Sequence, residues 1–425
     1  MNVLLIGSGG REHAFAYKLT QSRFLKHLYI APGNAGTAEL GTNIPIDEND
    51  FEAIKKVVLT KKIKMVIVGP EGPLVNGIHD FFLADEELKK INVVGPTMQA
   101  AQLEGSKDFS KKFMLRHKIP TAAYQTIVSQ NIAEGYKFLE RLRPPYVLKA
   151  DGLAGGKGVL ILDDLHEAKR ELNEILHSKK FGTAGQRVVI EEYLKGIELS
   201  VFVLTDGVSY KILPTAKDYK RIGEGDTGPN TGGMGAVSPV PFADKAFMNK
   251  VEQSIIIPTM KGLKKEKNRF KGFLFIGLMN VDGNPYVIEY NCRMGDPETE
   301  VVLPRIETDL IELLQSLGTK SLRTKQFLIS EKAAATIMLV SEGYPGKYDI
   351  GKEISGTEKV NGSLIFHAGT QNKKGKICTA GGRVMAITTL ADKMEEALRL
   401  SLTNARLIDY EGKTFRRDIG KDLFG

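Results

Sequence analysis

Cysteine is scarce in this chain. Its 425 residues include two, Cys292 and Cys378, far apart and in no metal-ligating spacing. A disulfide framework is therefore not expected, and a reducing compartment is the simplest setting. No apolar run approaches the length of a membrane span. Met1 leads directly into Val3-Leu4-Leu5-Ile6 without the charged, apolar and cleavable layout of a signal peptide. These absences predict a cytoplasmic protein with no membrane partner. Internal repeats and low-complexity segments are missing as well. The 42% hydrophobic and 26% charged residues belong to an ordinary folded chain, not a disordered one. The net charge is +8, yet the basic residues are scattered. The densest run, Lys261 to Lys271, is broken by Gly262, Leu263, Glu266, Asn268 and Phe270 and reads as a solvated helix–loop face. With no basic stripe and interleaved aromatics, nucleic-acid binding is not expected. Excess positive charge would still draw in phosphorylated metabolites.

Two glycine motifs also fall short of familiar signatures. Gly7-Ser8-Gly9-Gly10-Arg11-Glu12 carries Glu12 where a dinucleotide fingerprint needs its third glycine, and the next strand ends in Ala31-Pro32-Gly33 instead of an acid. Asp151-Gly152-Leu153-Ala154-Gly155-Gly156-Lys157-Gly158 lacks the first glycine and the final Ser or Thr of a P-loop. It remains a backbone-rich flap with one cation, suited to closing over phosphates. No Ser-His-Asp or Cys-His nucleophile constellation is visible.

In the first hundred residues strands alternate with helices: Val3–Ile6, then 11–21, Leu28–Ile30, 51–59, Met65–Val68 and the run Val93 to Pro96. That order predicts a doubly wound parallel sheet with ligands at the carboxyl ends of its strands. From about 105 to 325, apolar strands (146–149, 188–192, 199–204, 273–279, 286–291) are separated by glycine-rich loops. The last block predicts strands at 333–340, 363–367 and 382–387, and a helix from 392 to about 408 burying Met394, Leu398 and Leu402. His367-Ala368-Gly369-Thr370 either borders a cleft or finishes a strand.

The chemistry concentrates at Val287-Ile288-Glu289-Tyr290-Asn291-Cys292-Arg293-Met294-Gly295-Asp296-Pro297-Glu298. Strand alternation puts Glu289 and Asn291 on one face, two oxygen donors suited to Mg²⁺. Arg293 adds a fork for a carboxylate or phosphate. Lys149, in the apolar run Tyr146-Val147-Leu148-Lys149-Ala150, either snorkels from a strand end or meets an anion. Glu191-Glu192-Tyr193-Leu194 closes another strand and could receive an adenine and its ribose, with Glu198 close behind. The polar, glycine-rich segment 218–235 reads as a long functional loop offering Asp226, Asn230 and Thr231.

In their order, Glu104-Gly105-Ser106-Lys107, Leu148-Lys149-Ala150-Asp151-Gly152, Glu191-Glu192-Tyr193-Leu194, the run from Asp226 to Gly235, and Arg293-Met294-Gly295-Asp296-Pro297-Glu298 closely resemble the phosphoribosylamine–glycine ligase (glycinamide ribonucleotide synthetase) family of the ATP-grasp superfamily. The resemblance runs from Gly9-Gly10-Arg11-Glu12-His13 to Gly381-Gly382-Arg383-Val384. It implies an α/β and α+β multidomain fold: a substrate-binding domain at 1–104, an ATP-grasp domain at 105–325 with a lid at about 122–190, and a C-terminal α/β domain at 326–425. The implied activity is that of a carbon–nitrogen ligase of purine biosynthesis. Glycine is activated by ATP as glycyl phosphate and joined to 5-phosphoribosylamine, and the cofactor is Mg²⁺ or Mn²⁺.

The same resemblance implies roles for particular residues. Lys149, Arg293 and Asp296 would be catalytic, and Glu289 and Asn291 would hold the metal. Lys107, Lys149, Gly155, Gly156, Lys157, Glu191, Glu192, Leu194 and Glu198 would bind ATP. Gly9, Gly10, Arg11, Glu12, Gly69, Pro70 and Glu71 would flank phosphoribosylamine. Asp218, Lys220, Asp226, Asn230, Thr231, Gly232, Arg293 and Asp296 would surround glycine. A monomer, or at most a weak dimer, is expected. Family members commonly carry His where Tyr219 stands and Ala where Gly155 stands. The strand 273–279 lacks a carboxylate that many ATP-grasp enzymes place there, which leaves the number of bound ions open. The rival readings are another ATP-grasp ligase or carboxylase, and a non-catalytic nucleotide-binding regulator.

Overall fold

The computed structural model describes residues 1–153, 158–177 and 182–423. The apolar runs of the first hundred residues become a five-stranded parallel sheet in the order Thr42–Asn43, His27–Pro32, Asn2–Gly7, Ile63–Val68, Asn92–Val94. Val3, Leu4, Leu5 and Ile6 are fully buried, as expected of a strand covered on both faces. Successive crossovers change direction between Asn2–Gly7 and Ile63–Val68, so a crevice opens at the carboxyl ends of these two strands. The last strand is shorter than the run Val93 to Pro96. It stops at Val94 because the N–H groups of Gly95 and Thr97 donate to the carbonyls of Lys271 and Arg269, at 2.8 and 3.1 Å, instead of extending the ladder.

Two antiparallel four-stranded sheets follow. One has the order Tyr124–Ile127, Val188–Glu192, Tyr146–Ala150, Val159–Leu162. The helices Ile132–Arg141 and Leu165–His177 cover it, packing Leu139, Ala168, Leu172 and Ile175 against Leu148, Val188 and Ile190. The other has the order Tyr210–Ile212, Ile197–Thr205, Gly272–Val281, Asn284–Asn291. The two are tethered where Val287 donates its N–H to the Pro120 carbonyl at 2.8 Å.

A sheet near the C-terminus draws on both halves of the chain. Lys217–Asp218 and Gly235–Ser238 join Ala333–Ser341, Arg383–Ala391 and Leu364–His367, and Lys413–Thr414 pairs with Ala333–Ser341. The helix Met394–Leu407 lies on it with Met394 and Leu398 buried and Leu402 half-buried. The segment expected to be a long open loop is instead folded: Arg221–Gly223 and Thr227–Asn230 form an antiparallel hairpin. Its polar, glycine-rich sequence hides the strands because neither face is buried in an apolar core. Among the described residues no helix is long and apolar enough to cross a membrane.

Candidate active site

A cavity of about 420 Å³ opens between the two antiparallel sheets and the crevice of the parallel sheet. Its floor is the end of the strand Asn284–Asn291. Pairing there slips by one residue, because Gly277 faces Glu289 while Leu278 faces Val287, so Ile288 is a bulge. The bulge leaves the Ile288 carbonyl free to accept from Lys149 Nζ at 3.3 Å. Glu289 and Asn291 both line the cavity. The Glu289 carboxylate has no hydrogen-bond or ion-pair partner among the described residues. Burial works against its charge, but Lys220, Lys149, Lys107 and Arg293 outweigh that and hold it below the ordinary carboxylate range. Asn291 Oδ1 accepts from Arg293 Nη2 at 3.2 Å. Among the described residues no cluster of three or more His, Cys, Asp or Glu is arranged for a metal. An ionised carboxylate beside an amide oxygen nevertheless fits a hard cation that keeps phosphate or water as its other ligands.

Lys107, Lys149 and Lys111 line the cavity beside this pair. Lys107 begins the helix Lys107–Arg116, which Ser106 caps by accepting from Phe109 N at 3.1 Å, and its ammonium donates to the Gly152 carbonyl at 3.0 Å. Lys149 Nζ lies 3.0 Å from Glu191 Oε1, and Lys111 Nζ lies 3.0 Å from Glu191 Oε2. Burial lowers Lys107 and brings Lys111 down to about 8. The Glu191 carboxylate is thus held by ammonium groups in this state. Glu192, Leu194 and Glu198 do not line the cavity; Glu198 instead accepts from Lys220 Nζ at 2.9 Å. Gly155, Gly156 and Lys157 lie outside the described residues.

Arg293 binds Glu104 through Nη2 at 2.8 Å and Glu71 through Nε at 3.2 Å. Arg293 holds Glu71 down to about 2, whereas burial pushes the more enclosed Glu104 up to about 7 against the same guanidinium. Arg11, Pro70 and Glu71 line the cavity; Gly9, Gly10, Glu12 and Gly69 form its backing. Glu12 accepts from Gly9 N and from Arg11 Nε, each at 2.6 Å. A Cβ on Gly69 would sit 2.0 Å from Glu12 Oε1 and 2.9 Å from the Ile6 carbonyl oxygen, and because the second is backbone in a buried strand this close approach favours glycine.

The remaining wall comes from the segment around the hairpin. Asp218 and Lys220 point into the cavity with nitrogen and oxygen 3.9 Å apart. Burial raises Asp218, while Asp218, Glu198 and Glu289 keep Lys220 charged despite its burial. Tyr219, between them, points the other way: it is buried, and its hydroxyl donates to Asp422 Oδ1 at 2.6 Å. It therefore cannot hydrogen-bond a substrate in this cavity. Thr231 and Gly232 line the cavity, with the Thr231 hydroxyl donating to the Lys220 carbonyl at 2.8 Å. Asn230 closes the hairpin opposite Arg221 and does not line the cavity. Asp226 sits at the hairpin turn with φ +54°, 2.6 Å from Arg416, and is not brought to the site, because the two strands carry the turn away from it. Asp296 pairs with Arg383 Nη2 at 3.0 Å, and Arg383 Nη1 donates to the carbonyls of Gly232 and Asp296, each at 2.7 Å.

Sequence reasoning overlooked Lys111, Glu104, Glu298 and Arg383 as wall residues. Lys111 could have been found as the fourth residue after Lys107 on one helix, hence on the same face. Burial, and then Asp218, push Glu298 up to about 7.

Three family models match the chain: the phosphoribosylglycinamide synthetase N domain over residues 1–104, its ATP-grasp (A) domain over 105–299, and its C domain over 334–422. The phosphoribosylamine–glycine ligase of Pasteurella multocida is 46% identical over 99% of this chain and 97% of its own length. That of Caldanaerobacter subterraneus is 42% identical over 99% of both. The crystal structure of the Thermotoga maritima phosphoribosylamine–glycine ligase superposes with a TM-score of 0.86 at 36% identity, covering 98% of this chain and 100% of that one. The biotin carboxylase domain of Hydrogenobacter thermophilus 2-oxoglutarate carboxylase, solved with MgADP, shares the fold at TM-score 0.73 and 16% identity, over 97% of this chain and 91% of that one.

Proposed function

The chain belongs to the phosphoribosylglycinamide synthetase family, and from that premise we infer that its cavity joins glycine to 5-phosphoribosylamine with ATP, as a phosphoribosylamine–glycine ligase of purine biosynthesis. The observation that carries this reading is the free Glu289 carboxylate beside Asn291, faced by Lys107 and Lys149 and flanked by Arg293. A divalent ion held by Glu289 and Asn291, when bound, supplies positive charge to the phosphate oxygens. Lys107 and Lys149 hold the triphosphate from the opposite side. Arg293, held in place by Glu71, Glu104 and Asn291, offers its positive charge and its remaining Nη1 N–H to the carboxylate of glycine or to the transferring phosphoryl group.

The glycine carboxylate attacks the γ-phosphorus, and ADP leaves. The amine of phosphoribosylamine then attacks the carbonyl of glycyl phosphate, forming the amide as inorganic phosphate departs. No side-chain nucleophile takes part. Rate acceleration comes from alignment of the reactants and from placed positive charge. The sheet bearing Lys149 and Glu191 acts as the lid that keeps water from the acyl phosphate. Arg11 and Glu71, at the crevice of the parallel sheet, flank the phosphoribosyl group, while Asp218, Lys220 and Asp296 surround the glycine.

Measuring ADP release with each substrate omitted in turn tests the reading. Full turnover requires ATP, glycine and phosphoribosylamine together. Undiminished ADP release with another amine, or with bicarbonate in place of glycine, would refute it.

A further inference from the structure

Lys111 is the most enclosed cation of the cavity, 2% exposed. Its ammonium lies 3.0 Å from Glu191 Oε2, donates to Thr121 Oγ1 at 2.8 Å, and stands 5.6 Å from the centre of the Tyr124 ring. Thr121 in turn donates its hydroxyl to the Val287 carbonyl at 2.7 Å, two residues before Glu289. One side chain thus links the helix Lys107–Arg116, the lid strand Val188–Glu192 and the strand that carries Glu289. Across the same carboxylate, Lys149 is held more loosely, by Glu191 Oε1 at 3.0 Å and the Ile288 carbonyl at 3.3 Å.

We propose that Lys111 is a positioning residue for the nucleotide: it is the permanent counter-ion of Glu191, and its presence allows Lys149 to leave that carboxylate for a phosphate oxygen. The proposal deepens the reading above and rests on it. Glu191 is 4% exposed. If Lys149 were its sole cation, moving Lys149 to the triphosphate would strand a buried carboxylate, which is strongly unfavourable. With Lys111 anchored at Thr121, Glu191 keeps a partner whichever way Lys149 points. Lys149 is then the mobile member of the pair and Lys111 the fixed one.

The test is calorimetric binding of Mg²⁺ and a non-hydrolysable ATP analogue to the full chain, together with steady-state kinetics. Lys111→Met is expected to weaken analogue binding and raise KM for ATP by about tenfold or more, while kcat and KM for glycine stay within about threefold. Adding Glu191→Gln to Lys111→Met removes the carboxylate that traps Lys149, so affinity should recover to within about threefold of the wild type. A purely structural Lys111 would give no such recovery. Unchanged binding in Lys111→Met, or a double variant no better than the single, would overturn the proposal. Should Lys111→Met not fold, Thr121→Val decides: it removes the hydroxyl that anchors the Lys111 ammonium and is expected to raise KM for ATP by about threefold or more with kcat unchanged, and an unchanged KM for ATP would overturn the proposal. The substrate-omission assay on the wild type tests the ligase reading separately, because analogue binding does not depend on which amine is used.

Discussion

At the scale of single residues, the site depends on fixed, planar or paired groups. Arg293 uses its fork on Glu71, Glu104 and Asn291 at once, and its Nη1 also donates to the Met294 carbonyl at 3.2 Å. A lysine has one nitrogen and cannot span these acceptors. Arg293→Lys is therefore expected to lower kcat/KM by about a hundredfold, and to destabilise the fold by about 1–3 kcal/mol through the under-satisfied Glu104; steady-state kinetics and urea unfolding measure the two effects. Glu289 offers a contrasting case, since among the described residues its carboxylate has no hydrogen bond or ion pair to lose and feels the cations around it only at longer range. Glu289→Gln should lower the melting temperature modestly, because it removes the charge that Lys220, Lys149, Lys107 and Arg293 favour. It should also abolish the electron paramagnetic resonance signature of nucleotide-dependent Mn²⁺ binding and cut kcat by about a hundredfold or more. Retained Mn²⁺ binding would remove Glu289 from its assigned role. Alternation along one strand made Glu289 and Asn291 legible in the sequence. Lys111 and Glu104 were not legible in the same way, because their burial depends on sheets distant in the chain.

At the scale of elements, the segment from Lys217 to Ser238 shows where local patterning succeeds and fails. Asp218 and Lys220 face the cavity while Tyr219 faces the core, the two-residue period of an extended chain. Tyr219 packs against the Lys217 ammonium, 4.2 Å from its ring centre, and the Arg416 guanidinium at 5.4 Å. The side chain at this position is thus met by the C-terminal region and not by the cavity. Tyr219→Phe should cost about 1 kcal/mol of stability through the lost hydrogen bond to Asp422, with KM for glycine within about twofold of the wild type. A large rise in KM at unchanged stability would contradict this placement. The hairpin that follows was not legible because its strands contain no alternating apolar residues. Its order comes instead from Arg416, 2% exposed, which pairs with Asp226 and Asp418 and donates to the Arg221 carbonyl at 3.0 Å. No feature of residues 218–235 alone announces a partner nearly two hundred positions away. The parallel sheet was easier, since strands such as Val3–Ile6 and Met65–Val68 are buried on both faces and read as unbroken apolar runs.

At the scale of the molecule, the C-terminal region is joined to the parallel-sheet domain through a buried polar seam. Asn34 Nδ2 donates to the Ser8 and His367 carbonyls at 2.9 and 2.8 Å. His367 N–H donates to His13 Nδ1 at 2.7 Å, and His367 Nδ1 lies 3.0 Å from Thr370 Oγ1. The segment His367 to Thr370 therefore ends a strand and seals the domains against each other. An imidazole that accepts a backbone N–H must be neutral. Burial, reinforced by His367, lowers His13 to about 3, and burial lowers His367 to about 4. In the unfolded chain both take up protons near pH 6.5. Below that pH the unfolded state binds more protons than the folded state, so stability falls with pH until the folded values are reached and is undiminished above about pH 7. For His367 alone the loss between pH 6.5 and 4 is about 3 kcal/mol. His13→Asn keeps a carbonyl acceptor for the His367 N–H but removes a titrating ring. The urea midpoint of that variant is expected to fall less steeply between pH 7 and pH 5 than that of the wild type, and parallel pH profiles would show that the seam does not set the acid limit of the fold.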